Sequence, residues 1–208
     1  MKKTKRSKKS RTWVIKQHRD QFFKKSKVLG YKSRAAFKLI ELNKKFNFIK
    51  KNTNLLDIGS APGGWSQVAS QIIKIGKIIA IDKKPMEKLK NVTFFNNNFL
   101  DKEIKDKISH IFENKIDVII SDMAEDTTGN KSVDCIRTND LCSQVINFSL
   151  KMLNNKGVLV SKLFMGEDFL KVKEMAKKKF QKVEFFKPES SRKESKEIYI
   201  ICSLLKTL

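Results

Sequence analysis

The stretch Asn54-Leu55-Leu56-Asp57-Ile58-Gly59-Ser60-Ala61-Pro62-Gly63-Gly64-Trp65 decides the fold. A short apolar run ends beside an acid, a small-residue loop follows, and a helical pattern starts at Ser66. Strand, glycine-rich turn and helix in that order open a nucleotide-binding α/β unit. Gly59 can take the tight turn at the strand end, and Gly63 and Gly64 let a ligand approach bare backbone. The helix that follows offers unpaired N–H groups at its start. Gly59-x-Ala61-x-Gly63-Gly64 is not G-x-G-x-x-G, and no Gly-Lys-Ser/Thr follows it. A dinucleotide fingerprint and a P-loop are therefore both disfavoured.

A second apolar run, Ile78-Ile79-Ala80-Ile81, closes on Asp82. An acid at the end of strand two suits the paired hydroxyls of a ribose. Two acids and a diglycine turn without a phosphate grip point to a nucleoside ligand lacking a pyrophosphate, with S-adenosylmethionine (SAM) first among them. Downstream, apolar runs at 92–95, 116–121, 157–164, 183–187 and 198–204 read as strands. Helical patterns at 66–74, 101–113, 137–154 and 167–180 alternate with them. That alternation predicts a parallel sheet covered on both faces, with the last two runs close enough to pair as an antiparallel hairpin. The loop 123–136 is long and polar and follows a strand's carboxyl end, where α/β proteins build their sites. Ahead of the first strand, Ser33 looks like the N-cap of a helix running to about Phe46.

Of 208 residues, 40% are apolar, enough to bury the core of one domain. No apolar run approaches the roughly 20 residues that span a bilayer, so no membrane partner is expected. The net charge is +23. Residues 1–38 hold 15 Lys/Arg against one acid, Asp20, a net of +14, which leaves 30 − 21 = +9 for the other 170. A lysine-rich background explains part of this, but not the near-absence of acids from the first 38 residues, which points to a polyanion such as RNA. Residues 1–30 therefore read as a basic arm and 31–208 as the globular domain. Trp13, Phe22 and Phe23 punctuate the arm, either stacking on bases or pinning it to the core. The three cysteines, Cys135, Cys142 and Cys202, are scattered and odd in number, which suits a reduced, cytoplasmic setting. With only His18 and His110, neither a zinc site nor a His-dependent triad is expected.

Four charged residues stand at informative places. Asp122 closes Ile116–Ser121, Glu197 opens the last strand, Lys38 lies on the early helix off its apolar stripe, and Lys162 lies inside Val158–Phe164. A lysine in a buried strand must pair or lose its proton, unless the strand is an edge from which it snorkels to water.

These pieces together resemble the FtsJ/RrmJ (RlmE) family of SAM-dependent ribosomal RNA 2′-O-ribose methyltransferases. The likeness rests on Tyr31–Leu39, Leu56–Trp65, Ser121-Asp122-Met123-Ala124, Lys162-Leu163-Phe164 with Gly166-Glu167, and Lys187-Pro188 through Ser190-Ser191-Arg192 to Glu197 and Tyr199. It runs from about residue 10 to the end. It implies a Rossmann-like sheet of seven strands, mostly parallel with the last antiparallel. It also implies a catalytic tetrad of Lys38, Asp122, Lys162 and Glu197, with Lys162 as proton acceptor. SAM contacts fall on Gly59, Pro62, Gly63, Trp65, Asp82, Asn98 and Asp122, and RNA contacts on Arg11, Arg19, Lys32 and Arg34. No metal is implied. The resemblance further implies a uridine of large-subunit rRNA, met in the assembled 50S particle, as the target; a monomer is expected. Other readings are a tRNA or cap 2′-O-methyltransferase and a SAM-binding assembly factor without turnover; a nicotinamide oxidoreductase is disfavoured.

Two positions depart from the family pattern. Asn97-Asn98-Phe99 stands where Gly-Asp-Phe is usual, so Asn98 would meet the adenine amino group through its oxygen without a charge. Glu125-Asp126 stands where Pro-Asn is usual, placing two acids beside an RNA cleft.

Overall fold

The computed structural model describes residues 20–113, 116–126 and 128–206. Seven strands form one sheet in the order β3-β2-β1-β4-β5-β7-β6. They are β1 Leu55–Ile58, β2 Ile78–Asp82, β3 Thr93–Asn96, β4 Ile116–Ser121, β5 Leu153–Phe164, β6 Phe180–Phe186 and β7 Glu197–Leu205. The first five run parallel, while β7 is inserted antiparallel between β5 and β6. The hairpin thus exists, and its second strand, not its first, docks on β5.

Six helices are described: α1 Gln21–Val28, α2 Ala35–Phe46, α3 Gly64–Ile72, α4 Lys102–Phe112, α5 Lys131–Met152 and α6 Phe169–Lys179. Leu39, Leu42, Trp65, Val68 and Ile73 of the α2–α3 side pack against Leu55, Ile78, Val118, Val160 and Tyr199 on one face of the sheet. Ile104, Ile108, Val145, Ile146, Val172 and Ala176 of α4, α5 and α6 cover the other face through Leu56, Ile58, Ile119, Leu159 and Ile200. Central strands buried on both sides are what near-continuous Ile/Leu/Val runs encode.

The structure corrects two local expectations and decides between the two readings of Lys162. Ser33 does not cap α2: Arg34 occupies the cap position in a helical conformation and makes no capping side-chain bond. Instead Ser33 Oγ faces Gly64, where any Cβ would fall 2.3 Å from it. Helix α5 begins six residues ahead of expectation because Asn130 caps it, accepting from the N–H groups of Ser132 and Val133. The polar loop is correspondingly short. Lys162 is no edge-strand lysine, since β5 is flanked by β4 and β7.

Part of the arm is folded. Asp20 caps α1 by accepting from the N–H groups of Phe22 and Phe23 at 3.0 and 3.2 Å. The Phe22 ring meets Phe37 of α2 at 5.5 Å between centroids, which docks this helix on the core. Arg11, Arg19, Trp13 and His18 lie outside the described residues.

Candidate active site

The candidate site lies at the carboxyl ends of β1, β2, β4 and β5, where open parallel sheets place their ligands. Lys38 comes from α2, Asp122 from just after β4, Lys162 from β5 and Glu197 from the start of β7, and the four converge. Lys38 Nζ lies 2.7 Å from Glu197 Oε1, and Lys162 Nζ lies 2.8 Å from Asp122 Oδ1 and 3.8 Å from Glu197 Oε2. Lys162 Nζ also donates to the Asp122 backbone carbonyl at 2.8 Å. Two cations facing two carboxylates cancel formally, which is the condition for keeping four charges out of water.

Burial alone would lower the Lys162 pKa, but Asp122 and Glu197 outweigh it and hold the ammonium above the ordinary lysine value. Asp122 is pushed up by burial. Lys162, Lys38 and the Lys162 and Tyr199 hydrogen bonds more than reverse this, leaving it below the ordinary carboxylate value. Tyr199 belongs to the same cluster. Its hydroxyl donates to Asp122 Oδ1 at 2.6 Å, and burial, followed by the two carboxylates, raises the phenol well above its usual pKa. Ser191 Oγ donates to Glu197 Oε1 at 2.7 Å and fixes that carboxylate from the other side. Sequence reasoning does not reach Tyr199 and Ser191 as site residues. The signal for Tyr199 is its place two residues beyond Glu197 on the same strand, hence on the same face.

Beside the tetrad is a cavity of about 280 Å³ whose lining includes Gly59, Ala61, Asp82, Asn98, Asp122 and Met123. Asp82 is held rigidly: Oδ2 accepts from Ala61 N–H at 2.9 Å and Oδ1 from Lys84 N–H at 2.8 Å. Gly59 is in a left-handed conformation (φ 77°), and a Cβ there would sit 2.4 Å from Met123 Cγ. Gly63 is also left-handed at φ 108°. The Trp65 indole turns away from this cavity into the core, donating to the Ala35 carbonyl at 2.8 Å, so what Trp65 can offer a ligand is its N–H in the first turn of α3. Pro62 follows a cis peptide and lines a neighbouring groove with Tyr31 and Lys32. The Asn98 oxygen already accepts from Leu100 N–H at 3.1 Å, an engagement that the sequence does not announce.

A nucleoside cofactor fits these residues. Asp57 Oδ1 and Ser60 Oγ are buried at the glycine turn with no partner among the described residues. Neither lines the cavity itself, where Asp82, Asn98 and Asp122 offer polar side chains beside Gly59, which carries no Cβ. Among the described residues, no cluster of three His, Cys, Asp or Glu side chains is placed to hold a metal ion.

The two acids that depart from the family pattern are both paired. Glu125 meets Arg137 at 2.8 Å and Asp126 meets Lys84 at 3.4 Å, across the rim of the cavity. The expected RNA contacts are partly occupied as well. Lys32 pairs with Glu87, and Arg34 pairs with Asp20 and donates to the Ser190 carbonyl.

Fold and pocket together define a Rossmann-like methyltransferase. A model of the FtsJ-like methyltransferases matches residues 31–204. The chain belongs to that family and uses SAM as its methyl donor. It is 44% identical to the ribosomal RNA large subunit methyltransferase E of Pelagibacter ubique, over 95% of this chain and 97% of that one. With the protein of the same name from Rickettsia bellii it shares 40% identity, over 95% and 89%. A crystal structure from Plasmodium falciparum, assigned as a ribosomal RNA methyltransferase, superposes with a TM-score of 0.74 at 35% identity, covering 84% of this chain and 98% of the other. Human methyltransferase-like protein 13 shares the fold at a TM-score of 0.56 and 16% identity.

Proposed function

We propose that this protein methylates the 2′-hydroxyl of a ribose, that of a uridine, in large-subunit rRNA, acting in the cytoplasm on the assembled 50S particle. The observation that carries the reading is the Lys38–Glu197 and Lys162–Asp122 pairing at the mouth of the cofactor cavity. Binding a nucleoside alone needs no buried lysine tetrad, which disfavours an assembly factor without turnover. The names of the relatives above favour the large-subunit substrate over tRNA or a cap. Residues 1–30 would add backbone contacts to that RNA.

SAM bound against Gly59, Asp82 and Asn98 supplies the methyl group from its sulfonium. The residues of this chain hold the acceptor. A 2′-hydroxyl entering the tetrad competes for the Lys162 ammonium, which donates to its oxygen and orients it. Each carboxylate drawn toward the ribose weakens its hold on Lys162 and lowers that pKa, so that the ammonium releases a proton to solvent and the neutral amine can then take the hydroxyl proton as the methyl group is transferred. Lys38 holds Glu197 in place at 2.7 Å, and the Tyr199 hydroxyl helps to keep Asp122 charged.

Radiolabelled SAM offered to large subunits lacking the modification, beside naked rRNA and tRNA, tests the reading. Label on subunits, mapped to a ribose, is the expected result. Label on tRNA alone would overturn the substrate, and no label with SAM still bound would overturn the enzyme assignment.

Asn98 lies where the adenine amino group would be read, with its oxygen already shared with Leu100. Asn98→Asp supplies a second acceptor oxygen and a charge, and is expected to tighten SAM binding by about tenfold in calorimetric titration. An unchanged or weaker Kd would place the adenine elsewhere.

A further inference from the structure

We propose a second RNA contact at the opposite edge of the sheet: a lysine-walled groove at the amino-terminal ends of β2 and β3 that grips a phosphate backbone. The inference rests on the rRNA reading above and names a further surface for the same substrate. The groove measures about 620 Å³. Lys74 and Lys77 stand on one wall and Lys88 and Lys90 on the other, over a floor that includes Ile73, Ile78 and Val92. All four lysines are exposed, and no acid lines the groove. Some exposed lysines meet carboxylates, as in Lys84–Asp126, Lys177–Glu174 and Lys182–Glu184, and others among the described residues, such as Lys171 and Lys178 of α6, do not; what sets the groove apart is four lysines facing one concavity. Among the described residues, Lys74, Lys88 and Lys90 have no ion-pair partner, and Lys77 Nζ donates to the Ile111 carbonyl at the end of α4. Four like charges gathered without a counter-charge repel one another, so the groove is built for an external anion.

The presentation is rigid. Lys74 and Ile75 N–H groups donate to the Lys51 carbonyl at 2.7 and 3.0 Å, and Lys77 N–H to Asn54 Oδ1 at 3.0 Å. Gly76 lies so close to the Thr53 carbonyl oxygen that a Cβ would fall 1.9 Å from it. This fixes the turn on the core.

The chemistry of the walls selects the partner. Protein interfaces are enriched in aromatics and arginine and depleted in lysine, whereas this groove holds neither an aromatic nor an arginine. The same absence removes base stacking and bidentate base reading, leaving sequence-independent contact with phosphates. The groove lies a strand's length, roughly 13 Å, from the carboxyl edge where the tetrad sits. RNA that fills both must approach the sheet from two ends, which a folded rRNA offers and a short single strand does not.

The test is the triple variant Lys74→Gln, Lys88→Gln, Lys90→Gln in the full chain, beside a control that removes three lysines of α6 (Lys171→Gln, Lys173→Gln, Lys178→Gln). Retention of protein-free large-subunit rRNA on filters, read against salt, needs no turnover and so stands apart from the methylation result. The groove variant is expected to lower the salt slope by roughly 2 to 3 and to weaken binding about tenfold at moderate salt. KM for large subunits should rise similarly, with kcat and the SAM Kd unchanged. Equal losses in the α6 control, or an unchanged slope, would overturn the proposal. Loss of affinity for intact subunits with protein-free rRNA unaffected would overturn RNA in favour of a ribosomal protein. If the groove variant loses slope as expected and the α6 control does not, yet wild type methylates nothing, the groove stands and the enzymatic reading falls.

Discussion

Lys162→Ala is expected to lower methyl transfer by about a thousandfold while SAM still binds with near-wild-type affinity. The size follows from what the amine does. It is the only group of the tetrad placed on both carboxylates, at 2.8 Å from Asp122 and 3.8 Å from Glu197. On the proposed mechanism, removing it takes away the donor that orients the ribose and the acceptor for its proton. It also leaves Asp122 buried with one cation fewer, at an expected cost of about 3 kcal/mol in folding stability. Lys162→Met loses the same charge but fills the space of the stem, so a loss of turnover shared by both variants cannot be laid to a cavity. Near-complete loss of turnover in both variants, with a cooperative melt and retained SAM binding, is the expected pattern. Substantial turnover in either would remove Lys162 from the reaction.

The pH profile carries an independent check. The carboxylates keep the Lys162 pKa above the ordinary lysine value, near about 10.4 in the reference state. The free-enzyme profile of kcat/KM should therefore climb through neutral pH and still be rising near about pH 9. A plateau by pH 7 would mean that another group takes the proton.

Much of this site is legible in the sequence itself. Strand ends are readable because fully buried strands appear as unbroken apolar runs, so Asp57, Asp82, Asp122 and Lys162 stand out against them. Partnership across long separations is not readable in the same way. That Lys162 sits in a central strand depends on β7 inserting between β5 and β6, a register that no local pattern encodes. Asp20 pairing with Arg34 and Arg192, and Glu125 with Arg137, likewise depend on loops brought together by tertiary packing. Ser33 carries an ordinary capping signal, but close packing against Gly64 governs its position. In the same way Asn98 reads as a free acceptor, although its oxygen closes a local turn.

Asp57 gives the second large effect, and it runs against the usual carboxylate behaviour. The side chain is fully buried in β1; Ser66 Oγ donates to Oδ2 at 2.6 Å, and Oδ1 has no partner among the described residues. Burial first, reinforced by Asp122 and Asp82, raises its pKa from 3.8 to about 7. Between about pH 4 and 7 the native carboxyl keeps a proton that the unfolded chain has lost. Stability from this group is therefore fully present below about pH 4 and falls as pH rises toward 7. A shift of about three units corresponds to roughly 4 kcal/mol across that window. Asp57→Asn keeps the Ser66 contact and cannot ionise. Its stability relative to wild type, from denaturant melts, should be near zero at pH 4 and rise by a few kcal/mol by pH 8. A constant difference would show that Asp57 is ionised throughout. The cost has a counterpart in the pocket: Asp57, Asp82 and Asp122 together set a negative field at the strand ends, which favours a ligand bearing a sulfonium and an ammonium. The same variant should therefore weaken SAM binding several-fold at pH 8 and little at pH 5.5, so that the residue which most destabilises the neutral protein is also the one that sharpens its hold on a cationic cofactor.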